Sequence, residues 1–203
     1  MKRSFFERFR EAPFYGVWRS LVARLTGGQE VVGSNPVAPI MKILVISDTH
    51  RNPKRIDKVL EQEKGISLVF HLGDFQGGLD YIREACAVPL LAVQGNCDYG
   101  SDEPDERIEE LAGHSFFLTH GHRYGVDYDL NELEEVARAC GADVAIFGHI
   151  HKPVFERKED GFMILNPGSL GQPRQYPPEA SYMILEAEEE SGLLRVYRRS
   201  IKV

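Results

Sequence analysis

The feature of this sequence that constrains the fold most is an apolar run that ends in two side chains able to bind a metal. Residues 41–46 are typical of a buried strand, and Asp48 and His50 follow directly after it. Side chains two positions apart on an extended segment point to the same side, so a carboxylate and an imidazole can converge on one cation.

The same pattern recurs at four further apolar runs. These runs occupy residues 68–72, 89–93, 116–119 and 144–147, and the polar residues that follow them are Asp74, Asn96, His120, His149 and His151. In an open α/β sheet, ligands bind beyond the carboxyl ends of the strands. We therefore expect all five polar sets to lie together at one edge.

Composition sets the class of protein. A chain of 203 residues with 42% hydrophobic and 27% charged residues predicts one globular domain with an appendage. The three cysteines (Cys86, Cys97 and Cys140) form no C-x-x-C pair, which favours a reducing, cytoplasmic setting over a disulfide framework. No apolar run approaches the roughly 20 residues of a membrane span. The net charge of -7 argues against general nucleic-acid binding.

The N-terminal segment differs from the rest in charge. Residues 1–26 carry six basic and two acidic side chains, which leaves 18 basic and 29 acidic side chains for residues 27–203. Aromatic and aliphatic residues at helical spacing predict two short amphipathic helices there, and Gly, Ser, Asn and Pro predict a linker up to residue 40. This extension would pack on the body or on a second subunit of a homo-oligomer. Its alternative role is a membrane-surface anchor, which the interspersed glutamates disfavour.

From Met41 onward, strands alternate with helices. Helices are predicted after Pro53, over residues 77–87 and over residues 131–141, which implies a largely parallel first sheet. Strands at 154–157, 161–165, 181–185 and 193–201 are joined without helices, so we expect them to form a mainly antiparallel second sheet. Residues 107–111 and 115–118 are expected to form a hairpin, with His114 in its turn.

The candidate ligands are seven oxygen and nitrogen donors, which is too many for one ion: Asp48, His50, Asp74, Asn96, His120, His149 and His151. This set suits two divalent ions, with manganese favoured and iron, zinc or nickel as alternatives. Asp74 is the expected bridge, because it ends the strand that follows the one ending in Asp48. Two such ions would turn a bridging water into hydroxide and clamp a phosphoryl group in an in-line displacement. Hydrolysis of a phosphate ester follows from that chemistry.

The chain resembles the calcineurin-like metallophosphoesterase superfamily, most closely its YfcE-type phosphodiesterases. The resemblance rests on five ordered motifs followed by Asn166-Pro167-Gly168-Ser169. The motifs are Asp48-x-His50, Gly73-Asp74, Gly95-Asn96-Cys97-Asp98, Thr119-His120-Gly121-His122 and Gly148-His149-Ile150-His151. The resemblance implies an α/β fold, a four-layer α/β/β/α sandwich of two mixed β-sheets over residues 41–203. It also implies one metal held by Asp48, His50, Asp74 and His151, and a second held by Asp74, Asn96, His120 and His149.

The implied function is hydrolysis of a small phosphodiester, with Asp74, Asn96 and His122 as catalytic candidates. The alternative role for His122 is a hydrogen bond to a group that supports a metal ligand. The alternatives are an inactive scaffold of the same fold, as in the similar retromer subunit, and a phosphomonoesterase or protein phosphatase. Many family members have histidine where this chain has Cys97, and a thiol is a poor substitute for an imidazolium that protonates a leaving group. His71 is expected to be a buried histidine without a ligand role, and Arg174 a contact for an anion.

Overall fold

The structure is a computed structural model that describes residues 40–202. The helices predicted within residues 1–26, and the linker apart from Ile40, lie outside the described residues. The elements, in chain order, are β1 (Ile40–Ile46), α1 (Arg55–Gln62), β2 (Leu68–His71), α2 (Leu79–Cys86), β3 (Leu90–Ala92), β4 (Glu106–Leu111), β5 (His114–Thr119), α3 (Asn131–Ala139), β6 (Val144–Ile146), β7 (Pro153–Arg157), β8 (Met163–Pro167), β9 (Ala180–Glu188) and β10 (Leu193–Ile201).

The strands form two five-stranded sheets, each with parallel and antiparallel pairs. The first has the order β10-β9-β1-β2-β3 and the second the order β4-β5-β6-β8-β7. In the first sheet β1 runs parallel to β2 and antiparallel to β9, and in the second β6 runs parallel to both β5 and β8. This arrangement confirms the predicted α/β fold with two mixed sheets.

Apolar side chains explain the layers. Ile56 and Val59 of α1 and Ile82 of α2 are fully buried in one cluster with Leu44 and Ile46 of β1. A separate cluster joins α3 to the second sheet. Between the sheets, the rings of Phe70 and Phe116 meet edge-on with centroids 5.8 Å apart. Every residue from Ile43 to Ile46 is fully buried, as expected for a strand covered on both faces.

The predictions of a largely parallel first sheet and of a mainly antiparallel second sheet formed by the last strands are both wrong, because each sheet has two parallel and two antiparallel pairs. β7 and β8 belong to the second sheet, whereas β9 and β10 belong to the first. The chain crosses between the sheets over residues 168–179, and β9 then pairs with β1 from Ile40 to Val45. Apolar alternation marks each segment as a strand but carries no information about its partner, so the pattern could not reveal the division.

The hairpin of β4 and β5 is confirmed, but His114 does not lie in its turn. Leu111 pairs with His114, and the two residues between them, Ala112 and Gly113, have φ angles of 48° and 80°. Two positive φ angles are typical of the tight turns that match the twist of a hairpin. His114 instead begins β5, where its Nδ1 lies 2.7 Å from the Asp143 carboxylate.

Helices α1, α2 and α3 contain eight or nine residues each. In the part of the chain from residue 40 to residue 202, no helix has the length and apolar character needed to cross a lipid bilayer.

Candidate metal centre

The loops after β1 and β2 bring the first two carboxylates side by side. The backbone N–H of Asp48 donates to the Gly73 carbonyl at 3.0 Å, and that of His50 donates to the Asp74 carbonyl at 2.8 Å. These bonds continue the parallel pairing of β1 and β2 beyond the strand ends. The carboxyl edge of the sheet is therefore where the predicted donors meet.

Four of the predicted ligands form a buried group: Asp48, His50, Asp74 and His151. Each offers one ligand atom, and these atoms all lie within 4.8 Å of one another. The Nε2 atoms of His50 and His151 are 3.1 Å apart, and His151 Nε2 lies 3.1 Å from Asp48 Oδ1. The donor set, two carboxylates and two imidazoles, is one that divalent transition metals prefer.

Asp48 shows that this group fits a cation. Its Oδ2 accepts hydrogen bonds from Ser47 Oγ at 2.6 Å and from the His149 backbone N–H at 3.1 Å. Its Oδ1 is buried, and within residues 40–202 no donor is aligned to hydrogen-bond it. An ionised oxygen without a donor, facing two imidazole nitrogens, suits a metal ion.

A second group of predicted ligands lies around the Asn96 amide. Asn96 Oδ1 is 3.1 Å from His120 Nε2 and 3.0 Å from His149 Nδ1. His120 Nε2 is in turn 3.6 Å from Asp74 Oδ1. Asp74 therefore stands between the two groups, and the seven predicted donors lie in one continuous cluster.

Five of these residues have backbone conformations that are uncommon for side chains other than glycine. The φ angles are 52° at Asp48, 46° at His50, 57° at Asp74, 67° at His149 and 58° at His151. Each such conformation costs on the order of 1 kcal/mol or more and is concentrated at functional sites. The motifs gave no sign of this strain, because φ depends on the surrounding loops.

Two glycines allow the loops to approach each other. A Cβ at Gly73 would lie 2.7 Å from Gly95 N, and a Cβ at Gly95 would overlap the Asp74 carboxylate. Both contacts are much closer than an ordinary van der Waals contact. The Gly73-Asp74 and Gly95-Asn96 motifs thus have a steric reason as well as a chemical one.

Asp98, the last residue of the Gly95-Asn96-Cys97-Asp98 motif, links two loops of the site, a role that the motif does not reveal. Its carboxylate is buried and accepts hydrogen bonds from the backbone N–H groups of Asp74 at 2.7 Å, Gly95 at 2.8 Å and Gln76 at 2.7 Å. Burial raises the pKa of Asp98, against the effect of these three donors. Asp98 holds the loop that carries Asp74 against the loop that carries Asn96.

Asn166 and Ser169 hydrogen-bond the backbone of the loops that carry the predicted ligands. Asn166 Nδ2 donates to the Gly148 carbonyl at 2.6 Å, and Ser169 Oγ donates to the Asp48 carbonyl at 2.8 Å. The backbone N–H of Arg174 donates to the His151 carbonyl at 3.1 Å, and the Arg174 side chain is exposed. The role of Arg174 as an anion contact stays a prediction.

His71 and His122 are two further histidines that are not among the predicted ligands. His71 is buried at the end of β2, 3.1 Å from Thr49 Oγ1, and burial lowers its pKa to about 3, so the ring is neutral at pH 7. The His122 ring centroid lies 5.4 Å from that of His120 and 6.2 Å from that of His149. Burial, with a smaller effect of His120, also lowers the pKa of His122.

Cys97 lies beside Asp74. Its backbone N–H donates to Asp74 Oδ1 at 2.8 Å. Burial, together with the hydrogen bond and negative charge of Asp74, raises the pKa of the thiol to about 11. The sulfur is therefore a protonated thiol at neutral pH, which argues against a role as a covalent nucleophile.

Comparison with known proteins gives the family. Residues 41–190 match the calcineurin-like phosphoesterase superfamily domain. The probable metallophosphoesterase YsnB of Bacillus subtilis is 34% identical over 158 residues, covering 77% of this chain and 90% of that protein. The phosphodiesterase YfcE of Escherichia coli K12 is 30% identical over 172 residues, covering 72% and 88%.

A solved structure gives the same fold. Vps29 (vacuolar protein sorting 29) from Entamoeba histolytica, crystallised in complex with Zn²⁺, aligns with a TM-score of 0.62 and 24% identity, over 79% of this chain and 99% of that one. At this identity the likeness concerns the fold alone. The family match, the names of the two relatives and the Asp/His cluster all support a metal-dependent phosphoesterase. The chain therefore belongs to the calcineurin-like phosphoesterase superfamily and, within it, to the YfcE-type branch of metal-dependent phosphoesterases.

Proposed function

We propose that this protein is a phosphodiesterase that hydrolyses a small phosphodiester at a site for two divalent ions. The observation that carries the proposal is the position of Asp74. It shares a cluster with Asp48, His50 and His151, and its Oδ1 is also 3.6 Å from His120 Nε2 in the second group. One carboxylate in contact with both groups is the arrangement that a dinuclear site needs.

In this proposal Asp48, His50, Asp74 and His151 hold one ion, and Asp74, Asn96, His120 and His149 hold the other. Manganese is the favoured metal, and iron, zinc and nickel suit the same nitrogen and oxygen donors. When bound, such ions activate a water molecule and neutralise charge on the phosphoryl oxygens. The remaining steps depend on the side chains of this chain.

The protein side chains orient the reaction. Hydrogen bonds from His120 Nδ1 to the Leu72 carbonyl at 2.6 Å and from His151 Nδ1 to the Gln172 carbonyl at 2.7 Å leave both Nε2 atoms unprotonated for metal binding. Asn96 has an amide group with which to contact a phosphoryl oxygen. In this proposal His122, whose pKa is lowered by burial and which lies beside His120 and His149, hydrogen-bonds the substrate. Because Cys97 is a weak donor, diesters with good leaving groups are the favoured substrates.

A small substrate in the cytoplasm is part of the same proposal. The net charge of -7 disfavours a long polyanion as substrate, and the three cysteines are free, as in a reducing compartment. A homo-oligomer is compatible with this role, since every proposed ligand comes from one chain.

The test compares a diester with a monoester. Full-length protein loaded with manganese is assayed with bis-aryl phosphate and with mono-aryl phosphate, and the two kcat/KM values are compared. The proposal expects turnover of both to depend on metal, with the diester preferred. A preference for the monoester would assign a phosphomonoesterase instead, and no turnover of either would contradict the proposed activity.

A second candidate function is that of a scaffold that binds other proteins. It is favoured by the fold likeness to Vps29, a protein named for sorting rather than for catalysis. A scaffold gives no physical reason to hold Asp48 Oδ1 buried without a hydrogen-bond donor, which is unfavourable unless a cation binds there. Metal-loaded protein that hydrolyses none of the tested esters would favour the scaffold.

A further inference from the structure

The four histidines among the proposed ligands are His50, His120, His149 and His151. They differ in the partner of the ring nitrogen that points away from the other ligands. His120 Nδ1 lies 2.6 Å from the Leu72 carbonyl and His151 Nδ1 lies 2.7 Å from the Gln172 carbonyl. His50 Nδ1 has no partner among residues 40–202. His149 alone of the four has a carboxylate at this position, because its Nε2 lies 2.9 Å from Asp127 Oδ2.

The charges of the two ligand groups also differ. The group of Asp48, His50, Asp74 and His151 contains two carboxylates. The group of Asp74, Asn96, His120 and His149 contains only Asp74, which it shares, together with neutral donors. An ion held by the second group therefore receives less negative charge from its direct ligands, and a nearby carboxylate has more effect there.

Asp127 is held in place by the loop that carries it. Val126, directly before it, is buried with only 5% of its surface exposed, and Tyr124 packs edge-on against Phe117 with ring centroids 6.1 Å apart. After it, the Tyr128 backbone N–H donates to the Gly125 carbonyl at 2.9 Å. The Asp127 carboxylate is 54% exposed, but it is carried between a buried residue and a backbone hydrogen bond, and it faces His149.

We propose that Asp127 is a positioning residue for the second ion. Its carboxylate accepts a hydrogen bond from His149 Nε2–H, which fixes the ring orientation and leaves Nδ1, the nitrogen that faces Asn96 Oδ1, unprotonated for the metal. A carboxylate in this position also makes the imidazole a stronger ligand. This inference rests on the proposed two-ion site and assigns Asp127 specifically to the second of the two ions.

The first test measures metal affinity without turnover. Metal-free wild-type protein and three variants, Asp127→Ala, Asp127→Asn and Asp129→Ala, are titrated with manganese in a calorimeter. Asp129 is the matched control, because it lies on the same loop with the same charge but accepts a hydrogen bond from the Asn131 N–H at 2.9 Å instead.

In Asp127→Ala, we expect the tighter site to keep its affinity and the weaker site to lose about 10- to 100-fold. Asp127→Asn, which keeps an acceptor oxygen but loses the charge, is expected to lose less. Asp129→Ala is expected to bind both ions as the wild type does. Equal affinity of the second site in Asp127→Ala and wild type would overturn the inference, as would the same loss in Asp129→Ala.

A second measurement separates this inference from the proposed function. Nitrogen-15 NMR of the histidine rings in metal-free protein reports which nitrogen carries the proton. We expect His149 to be protonated on Nε2 in the wild type and to become a mixture of tautomers in Asp127→Ala. A wild-type His149 protonated on Nδ1 would overturn the role of Asp127 even if two ions bind. Wild-type protein that binds one ion would instead contradict the proposed dinuclear site.

Discussion

At the scale of single residues, the proposed two-ion site depends on Asp74, whose carboxylate lies between two groups of donors. Asp74 is buried, its backbone N–H is held by Asp98 at 2.7 Å, and its Oδ1 accepts the Cys97 N–H at 2.8 Å. These two hydrogen bonds hold both the backbone and the side chain of Asp74 in place. Such preorganisation is what positions a ligand between two cations.

The first prediction is that Asp74→Asn lowers kcat by several orders of magnitude. An amide has nearly the same shape as a carboxylate but carries no charge, so two cations beside it would repel each other without compensation. Kinetics of diester hydrolysis and metal content per chain check this. Asp80→Asn, at an exposed position in the first turn of α2, is the control. Near-normal turnover with two ions bound in Asp74→Asn would show that another residue is the bridge.

At the scale of structural elements, the close approach of the loops after β2 and β3 gives the second prediction. Gly95→Ala should empty the metal site, because the new Cβ would overlap the Asp74 carboxylate. Gly65→Ala is the control, because a Cβ there meets open space although the φ angle of 72° costs about 1 kcal/mol. Metal analysis of the two folded variants should show loss only in Gly95→Ala. Retention of metal in Gly95→Ala would contradict this steric account.

The third prediction concerns an ion pair that links α1 to the first sheet. Glu63 accepts hydrogen bonds from Lys42 of β1 at 2.8 Å and from the Tyr182 hydroxyl of β9 at 3.1 Å. Burial raises the pKa of Glu63, but these hydrogen bonds outweigh burial and lower it below the ordinary value of a glutamate. A lowered folded pKa stabilises the protein above the unfolded pKa, and this stabilisation is lost as the pH falls through the folded pKa.

Glu63→Gln should therefore lower the free energy of unfolding by about 1 kcal/mol at pH 7. The difference from wild type should shrink as the pH falls below about 4.3, the ordinary pKa of glutamate. Urea unfolding at pH 7 and at a pH below about 4.3 checks this. Glu61→Gln, at an exposed position of α1, is the control. A difference that stays constant down to acid pH would show that the charge of Glu63 is not responsible.

The elements also show what the sequence could and could not predict. Apolar runs ending in Asp, Asn or His predicted β1, β2, β3, β5 and β6 and the donors after them. These predictions succeeded because a buried strand and the polar residues at its end can both be recognised from a short contiguous stretch of sequence. The division of the last four strands between two sheets was missed, since pairing joins residues far apart, such as Val45 and Met183. Asp127 was missed for the same reason. It lies in a loop without periodicity and meets His149 across 22 positions.

At the scale of the whole molecule, every proposed ligand lies within residues 40–202, and residues 1–39 contain none. The family match begins at residue 41, and β1 begins at Ile40. The fourth prediction is that deleting residues 1–39 leaves diester turnover per metal-loaded site nearly unchanged. Steady-state kinetics of the shortened chain check this. A shortened protein that folds and keeps its metals but loses turnover would show that the segment contributes to the active site.

The measurement that tests the central claim most directly is a manganese titration of metal-free protein in which diester turnover is measured after each addition. If Asp74 joins two ion sites, turnover should stay low through the first equivalent and rise to its maximum at two ions per chain. Turnover that is already maximal at one ion per chain, or that is independent of manganese, would contradict the two-ion account.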